Sequence, residues 1–152
     1  MTKLINDLYN RATKKGVAIA KTYVDYYGNK LPEPIEKYRV EVKLYGDSVE
    51  CIELYHYGTL TLSVNKEGFF GENYQITELY GQSNSDKDSI ENILTLFTEK
   101  LYSPLKLTYR NVNGGFGFLT DDYEPVFLDD FKNKQDFINL ANDELKKGLK
   151  NA

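Results

Sequence analysis

Arg39-Val40-Glu41-Val42-Lys43-Leu44-Tyr45, then Gly46-Asp47, then Val49-Glu50-Cys51-Ile52-Glu53-Leu54-Tyr55-His56-Tyr57 is the stretch that decides the fold. In its first run Val40, Val42 and Leu44 alternate with Arg39, Glu41 and Lys43. Successive side chains of a strand point to opposite faces, so this spacing predicts a strand with one buried side. Gly46-Asp47 supplies turn chemistry. The second run sets Val49, Cys51, Glu53, Tyr55 and Tyr57 against Glu50, Ile52, Leu54 and His56, a strand with two mixed faces. Gly58 turns the chain again, and Leu60, Leu62 and Val64 mark a third strand. Asn65-Lys66-Glu67-Gly68 reads as a hairpin loop with glycine placed for positive φ. A fourth strand is expected within 69–80, interrupted near Gly71. Strands joined by short hairpins make an antiparallel meander.

Upstream of the meander, Thr2 is a candidate N-cap. Ile5, Leu8, Tyr9, Ala12, Gly16, Ile19, Ala20, Tyr23 and Tyr27 recur at three- and four-residue steps. They predict one helix closed by Gly28, with Gly16 as the point where it bends or breaks. Leu31-Pro32-Glu33-Pro34 reads as an extended linker. Downstream, Ser85 or Asp86 caps a helix carrying Ile90, Ile93, Leu94, Phe97 and Leu101, which ends before Pro104. Leu105, Leu107 and Tyr109 alternate with Lys106, Thr108 and Arg110 in a further strand. Asn113-Gly114 is a hairpin signal, and Phe116 and Phe118 lie in the returning strand. The apolar run Val126-Phe127-Leu128 precedes a last helix at about 133–149, with Phe137, Leu140, Ala141, Leu145 and Leu149 inward. The order α-β-β-β-β-α-β-β-α predicts an α+β fold: one antiparallel sheet of about six strands packed by helices, in a single domain spanning 1–152.

Composition bounds the function. The chain has 152 residues, 41% hydrophobic and 28% charged, which is ordinary globular usage and excludes a disordered chain, a fibre or a disulfide-rich miniprotein. No run approaches the roughly 18 apolar residues of a membrane span. One cysteine makes no internal disulfide, and the first residues lack the apolar core of a signal peptide, so the cytoplasm of a bacterial host is expected. Sixteen of the 19 basic residues are lysine and tyrosine is abundant, a bias of low-GC bacteria and their phages.

Net charge is −4, unevenly spread. Between Asp121 and Glu144 eight acids face Lys132 and Lys134, so this stretch carries −6 and the rest +2. An acidic segment repels nucleic acid and attracts basic protein surfaces. Direct binding to nucleic acid is therefore not expected, and Asp121, Asp122, Glu124, Asp129 and Asp130 are candidate partner-binding residues; the plainer reading is a solvated face. The thirteen tyrosines exceed what one small core takes up. Tyrosine offers contact area and a polar tip at protein interfaces, and Tyr26, Tyr27, Tyr55 and Tyr57 are the candidates for exposure.

Catalytic signals are sparse. His56 is the lone histidine, beside Tyr55 and Tyr57, and reads as structural. Cys51, mid-strand, reads as a small buried hydrophobe. Gly114-Gly115-Phe116-Gly117-Phe118 lacks the strand-to-helix context of a phosphate loop, and the Asp121–Asp130 acids lack the spacing and glycine of an EF-hand. Asp25 followed by Glu41-Val42-Lys43 resembles the core of restriction-type nucleases, which implies Mg²⁺-dependent phosphodiester cleavage; the proline usual beside the aspartate is absent, and strand alternation already accounts for Glu41 and Lys43.

The N-terminal helix, meander, helix and final hairpin also resemble, in layout, the toxin-immunity proteins of low-GC bacteria, chiefly over Leu105 to Tyr123. The expectation is a non-enzymatic binding protein without metal or cofactor that blocks a basic, nuclease-like enzyme. It would act as a phage anti-defence protein of anti-CRISPR type or as an immunity protein. The alternatives are the nuclease built on Asp25, Glu41 and Lys43, and a small-ligand-binding domain whose sheet and tyrosines form a pocket.

Overall fold

In the computed structural model, which describes residues 2–67, 73–111 and 115–151, three helices pack against two antiparallel sheets. The order is α1 (Thr2–Lys15), β1 (Val17–Val24), β2 (Lys30–Tyr45), β3 (Ser48–His56), β4 (Thr59–Glu67), β5 (Asn73–Leu79), α2 (Asn84–Phe97), β6 (Leu107–Arg110), β7 (Gly115–Leu119), β8 (Pro125–Phe127), a 3-10 turn at Leu128–Asp130, and α3 (Lys134–Asn151). β1 to β5 form one sheet in sequence order and β6 to β8 a second. The α+β class holds, but the strands divide five and three rather than six in one sheet.

The first difference lies at Gly16. The helix ends at Lys15, and Gly16 takes φ +90, its amide donating to the Ala12 carbonyl at 2.7 Å. Only Ile5, Leu8 and Ala12 of the predicted stripe are buried on α1. Beyond Gly16 the β-branched and aromatic residues Val17, Ile19, Thr22, Tyr23 and Val24 run as an edge strand. Gly28 closes no helix; it belongs to the β1–β2 turn, donating to the Asp25 carbonyl at 3.0 Å. The Leu31–Pro34 segment is not a linker but the start of β2. Pairing with β3 begins only at Tyr38, so Pro32 and Pro34 border one strand alone and their missing N–H groups leave no gap in a ladder.

In the meander the alternation holds along β2 to Val42 and along β3, but a bulge after Lys43 turns Leu44, expected inward, to the surface, and Thr61 to Val64 of β4 are all buried. Tyr38, Val40 and Val42 of β2, Ile52, Leu54 and His56 of β3, and Leu62 and Val64 of β4 are buried. Asn65, Lys66 and Glu67 belong to β4 rather than to a loop. Gly68, Gly71, Asn113 and Gly114 lie outside the described residues. Ser83, not Ser85 or Asp86, is the N-cap of α2, its hydroxyl accepting from the Asp86 amide at 3.1 Å. Leu101 lies past the end of this helix, 90% exposed. Val126 and Phe127 pair with β7 as a strand, and on α3 Leu140 points outward while Phe137, Ile138, Ala141 and Leu145 are buried.

α1 and α2 lie together on the five-stranded sheet, α2 also touching β6, and α3 lies against β5. The buried side chains of both sheets and all three helices form one continuous cluster. No helix among the described residues is long and apolar enough to cross a membrane.

Candidate functional site

Strand alternation sends His56 inward, next to Ile52 and Leu54, into contact with the first turn of α2. There its Nδ1 lies 2.6 Å from Oδ1 of Asp86, both side chains almost wholly buried. The other carboxylate oxygen accepts from the Gln82 amide at 2.8 Å. Asp86 sits in the first helical turn, where free N–H groups and the helix dipole favour negative charge. A carboxylate only accepts, so His56 donates through Nδ1–H. Its Nε2 is shut off from water and has no partner among the described residues. Tyr38 stacks on the imidazole, ring centroids 4.5 Å apart and planes 11° from parallel. Burial, then the Asp86 charge, pushes the Tyr38 hydroxyl far above its ordinary range.

The β1–β2 turn brings two further tyrosines to this histidine. Asp25 organises the turn, its Oδ1 accepting from the amides of Tyr27 at 2.9 Å and Asn29 at 2.8 Å. Tyr26 then stands edge-on to Tyr27 at 5.4 Å, to Tyr57 at 5.8 Å and to His56 at 6.2 Å. Burial and the nearby Asp86 charge raise the Tyr26 hydroxyl above its usual value. Tyr57 occupies the two-residue β3–β4 turn at φ 49, followed by Gly58 at φ 82. Two positive φ values mark a type I′ turn, in which Asn or Gly is the ordinary first residue. Tyr57 nevertheless holds that place and donates from its hydroxyl to the Val24 carbonyl at 3.2 Å. These rings and Tyr80 wall a cavity of about 190 Å³ over His56, Gln82 and Asp86.

Of the four tyrosines expected to be exposed, Tyr26 and Tyr27 are and Tyr55 and Tyr57 are half-buried; Tyr26, Tyr27 and Tyr57 converge. Tyr55 does not: it lies on the face of β3 opposite His56, paired with Arg39 and Leu60. His56 and Asp86, passed over in the sequence, form the centre of the cluster.

The acidic segment is split by β8. Asp121, Asp122 and Glu124 sit at the Leu119–Pro125 end of the β7–β8 pair, and Asp129 approaches Gly115 at the other end, with Asp130 beside it. The three extended residues of β8, Pro125–Phe127, span roughly 10 Å between the two groups. All five acids are exposed. The tip is a tight loop: Tyr123 donates to the Thr120 carbonyl at 2.9 Å, and the Glu124 amide to the Thr120 hydroxyl at 3.2 Å. Tyr123 takes φ 62 and is 69% exposed, with Lys106 Nζ 5.1 Å from its ring centroid. Beside it opens a groove of about 580 Å³ lined by Tyr102, Pro104, Leu119 and Tyr123, with Asp121, Glu144 and Lys147 among its polar residues. Lys147 bridges Glu144 at 3.1 Å and reaches Asp121 at 3.8 Å; Asp122 and Glu124 carry no ion pair among the described residues.

The nuclease-like set is not assembled. Glu41 pairs with Val17 at the start of β1 and Asp25 follows its end, so the two are roughly 25 Å apart along the strand. Asp25 is engaged by its own turn, and Glu41 lies 3.5 Å from Arg39. Among the described residues no three His, Cys, Asp or Glu side chains are placed to hold a metal ion. Cys51 is half-buried, and burial followed by the Glu53 charge raises its thiol, which makes it a poor nucleophile. Compared with known proteins, the chain matches no family model, no curated protein and no solved structure.

Proposed function

We propose that this chain is a binding protein that inhibits a partner with a basic surface, an enzyme that handles nucleic acid in a bacterial host, in an anti-defence or an immunity role. The observation that carries this reading is Tyr123. It stands 69% exposed at positive φ, between Asp122 and Glu124 and beside the groove of Tyr102, Pro104 and Leu119. A left-handed backbone at a residue with a Cβ is costly, and strain of this kind persists where the position is used. A bulky aromatic flanked by carboxylates without ion pairs among the described residues gives apolar contact area and long-range attraction to a cationic surface together. Leu101 and Tyr102, 90% and 79% exposed, extend the apolar part of this face.

The test is capture of partners from lysate of a low-GC bacterium, comparing the native chain with Asp122→Lys/Glu124→Lys at low and moderate salt. The expected result is one dominant basic protein, held by the native chain and released by salt or by charge reversal. Its enzymatic activity then falls as native protein is added up to one equivalent. A captured protein whose activity is unchanged at saturation, or that holds the reversed variant equally well, refutes the reading.

A further inference from the structure

We propose that the cavity over His56 and Asp86 is a binding site for an organic cation bearing N–H donors, a guanidinium or primary ammonium group. The proposal does not depend on the acidic tip or on any partner that binds there. Its first support is the sign of the lining. Tyr26, Tyr27, Tyr57 and Tyr80 supply aromatic walls, Asp86 supplies a carboxylate, and no lysine or arginine is among the lining residues. Aromatic faces are negative, and rings set at right angles around a small space are the arrangement that takes up cations. Tyr26 makes such perpendicular contacts with both Tyr27 and Tyr57, at 89° and 90°. One wall already attracts a cation from outside, Lys134 Nζ lying 5.7 Å from the Tyr80 ring centroid.

The second support is His56. In the tautomer that gives Nδ1–H to Asp86, Nε2 is an acceptor, and it is buried with no partner among the described residues. Buried acceptors are normally satisfied, and one left open beside a cavity calls for a donor from a ligand. Tyr26, on an exposed turn and 41% exposed itself, stands edge-on to the imidazole at 6.2 Å, and a ligand would enter past this ring. The third support is size. A cavity of about 190 Å³ admits a guanidinium or an aminoalkyl stem but is smaller than the sites that hold drug-sized ligands.

The experiment uses the full chain labelled with ¹⁵N in histidine, so that His56, the single histidine, reports alone. N-acetyl-arginine amide and butylammonium are titrated in, with N-acetyl-citrulline amide as the uncharged isostere. The expected outcome is a saturable shift of the Nε2 resonance with the cations and none with citrulline. Tyr26→Ala is expected to weaken binding about tenfold. Tyr27→Ala, at a side chain 85% exposed, serves as a second variant that spares the fold. No saturable shift with any cation, or equal binding of citrulline, overturns the proposal. A basic hexapeptide with one central arginine separates the sources: affinity at least tenfold above the free amide assigns the site to a protein's side chain, and equal affinity assigns it to a free metabolite.

Discussion

Tyr123 and Asp86 show how single residues here trade stability against use. Tyr123 holds a conformation that costs an ordinary L-residue about 1 kcal/mol, and asparagine enters it more readily. Its Lys106 contact is exposed and returns about 0.5 kcal/mol. Tyr123→Asn should therefore stabilise the chain by about 0.5 kcal/mol in urea denaturation while weakening capture of the basic partner. A variant that loses both stability and binding would mean that the ring is structural. Asp86 is the opposite case. Asp86→Ala strands the buried Nδ1 of His56 and releases the backbone amide of Gln82, an exposed residue, and the expected loss is about 3 kcal/mol. A loss below about 1 kcal/mol would show that water replaces the carboxylate. In the sequence, alternation along β3 groups His56 with Ile52 and Leu54 on one of two mixed faces, and the structure makes that face the inward one. Its partner lies 30 residues away in a different element, and no local pattern joins the two. Tyr55 shows the same limit: expected to be exposed, it is half-buried on the face of β3 opposite His56, while Tyr57, which alternation alone would put on that same face, leaves the strand in the turn at φ 49.

At the scale of elements, the edge of β5 is closed by a side chain. Asn142 of α3 accepts from the Ile76 amide at 2.7 Å and donates to the Ile76 carbonyl at 2.9 Å, imitating a sixth strand for one residue. Asn142→Ala leaves both groups half-buried and unpaired, so a loss of about 2 kcal/mol in urea denaturation is expected. An open edge also invites pairing between molecules, so light scattering should rise with concentration for the variant alone. Unchanged stability would show that Ile76 finds water instead. The existence of the meander strands, α2 and α3 was legible from strand alternation and helical spacing, though the ends of α2 and the outward turn of Leu140 were not. β1 was not, since Ile19, Ala20 and Tyr23 satisfy both a helical stripe and a strand. Gly16 at φ +90 decides between them, its carbonyl also accepting from the Val42 amide of β2 at 2.9 Å. The acidic run likewise read as one patch because sequence proximity hides β8, which separates Asp121 and Asp122 from Asp129 and Asp130.

For the molecule as a whole, the question is whether the two sheets fold as one unit. Phe137 of α3 is fully buried against Phe116 and Phe118 of β7 and against Phe131, within the same apolar cluster as Ile52 and Leu54 of β3. α2 bridges the sheets, touching β3 and β4 on one side and β6 on the other. Gly148 fixes α3 to the β6 side as well: a Cβ there would lie 1.7 Å from the Pro104 carbonyl oxygen, so only glycine permits the approach. A core without a seam predicts that damage in one sheet is felt in the other. Phe137→Ala should cost about 3 kcal/mol or more through the cavity it leaves. If the molecule opens as one unit, amide exchange at Ile52 and Leu54, which the substitution does not touch, accelerates about a hundredfold. Acceleration confined to β6–β8 and α3 would instead mean two units that open separately. In that case the acidic tip on the smaller sheet and the His56 cavity on the larger would be independently stable sites rather than parts of one cooperative fold.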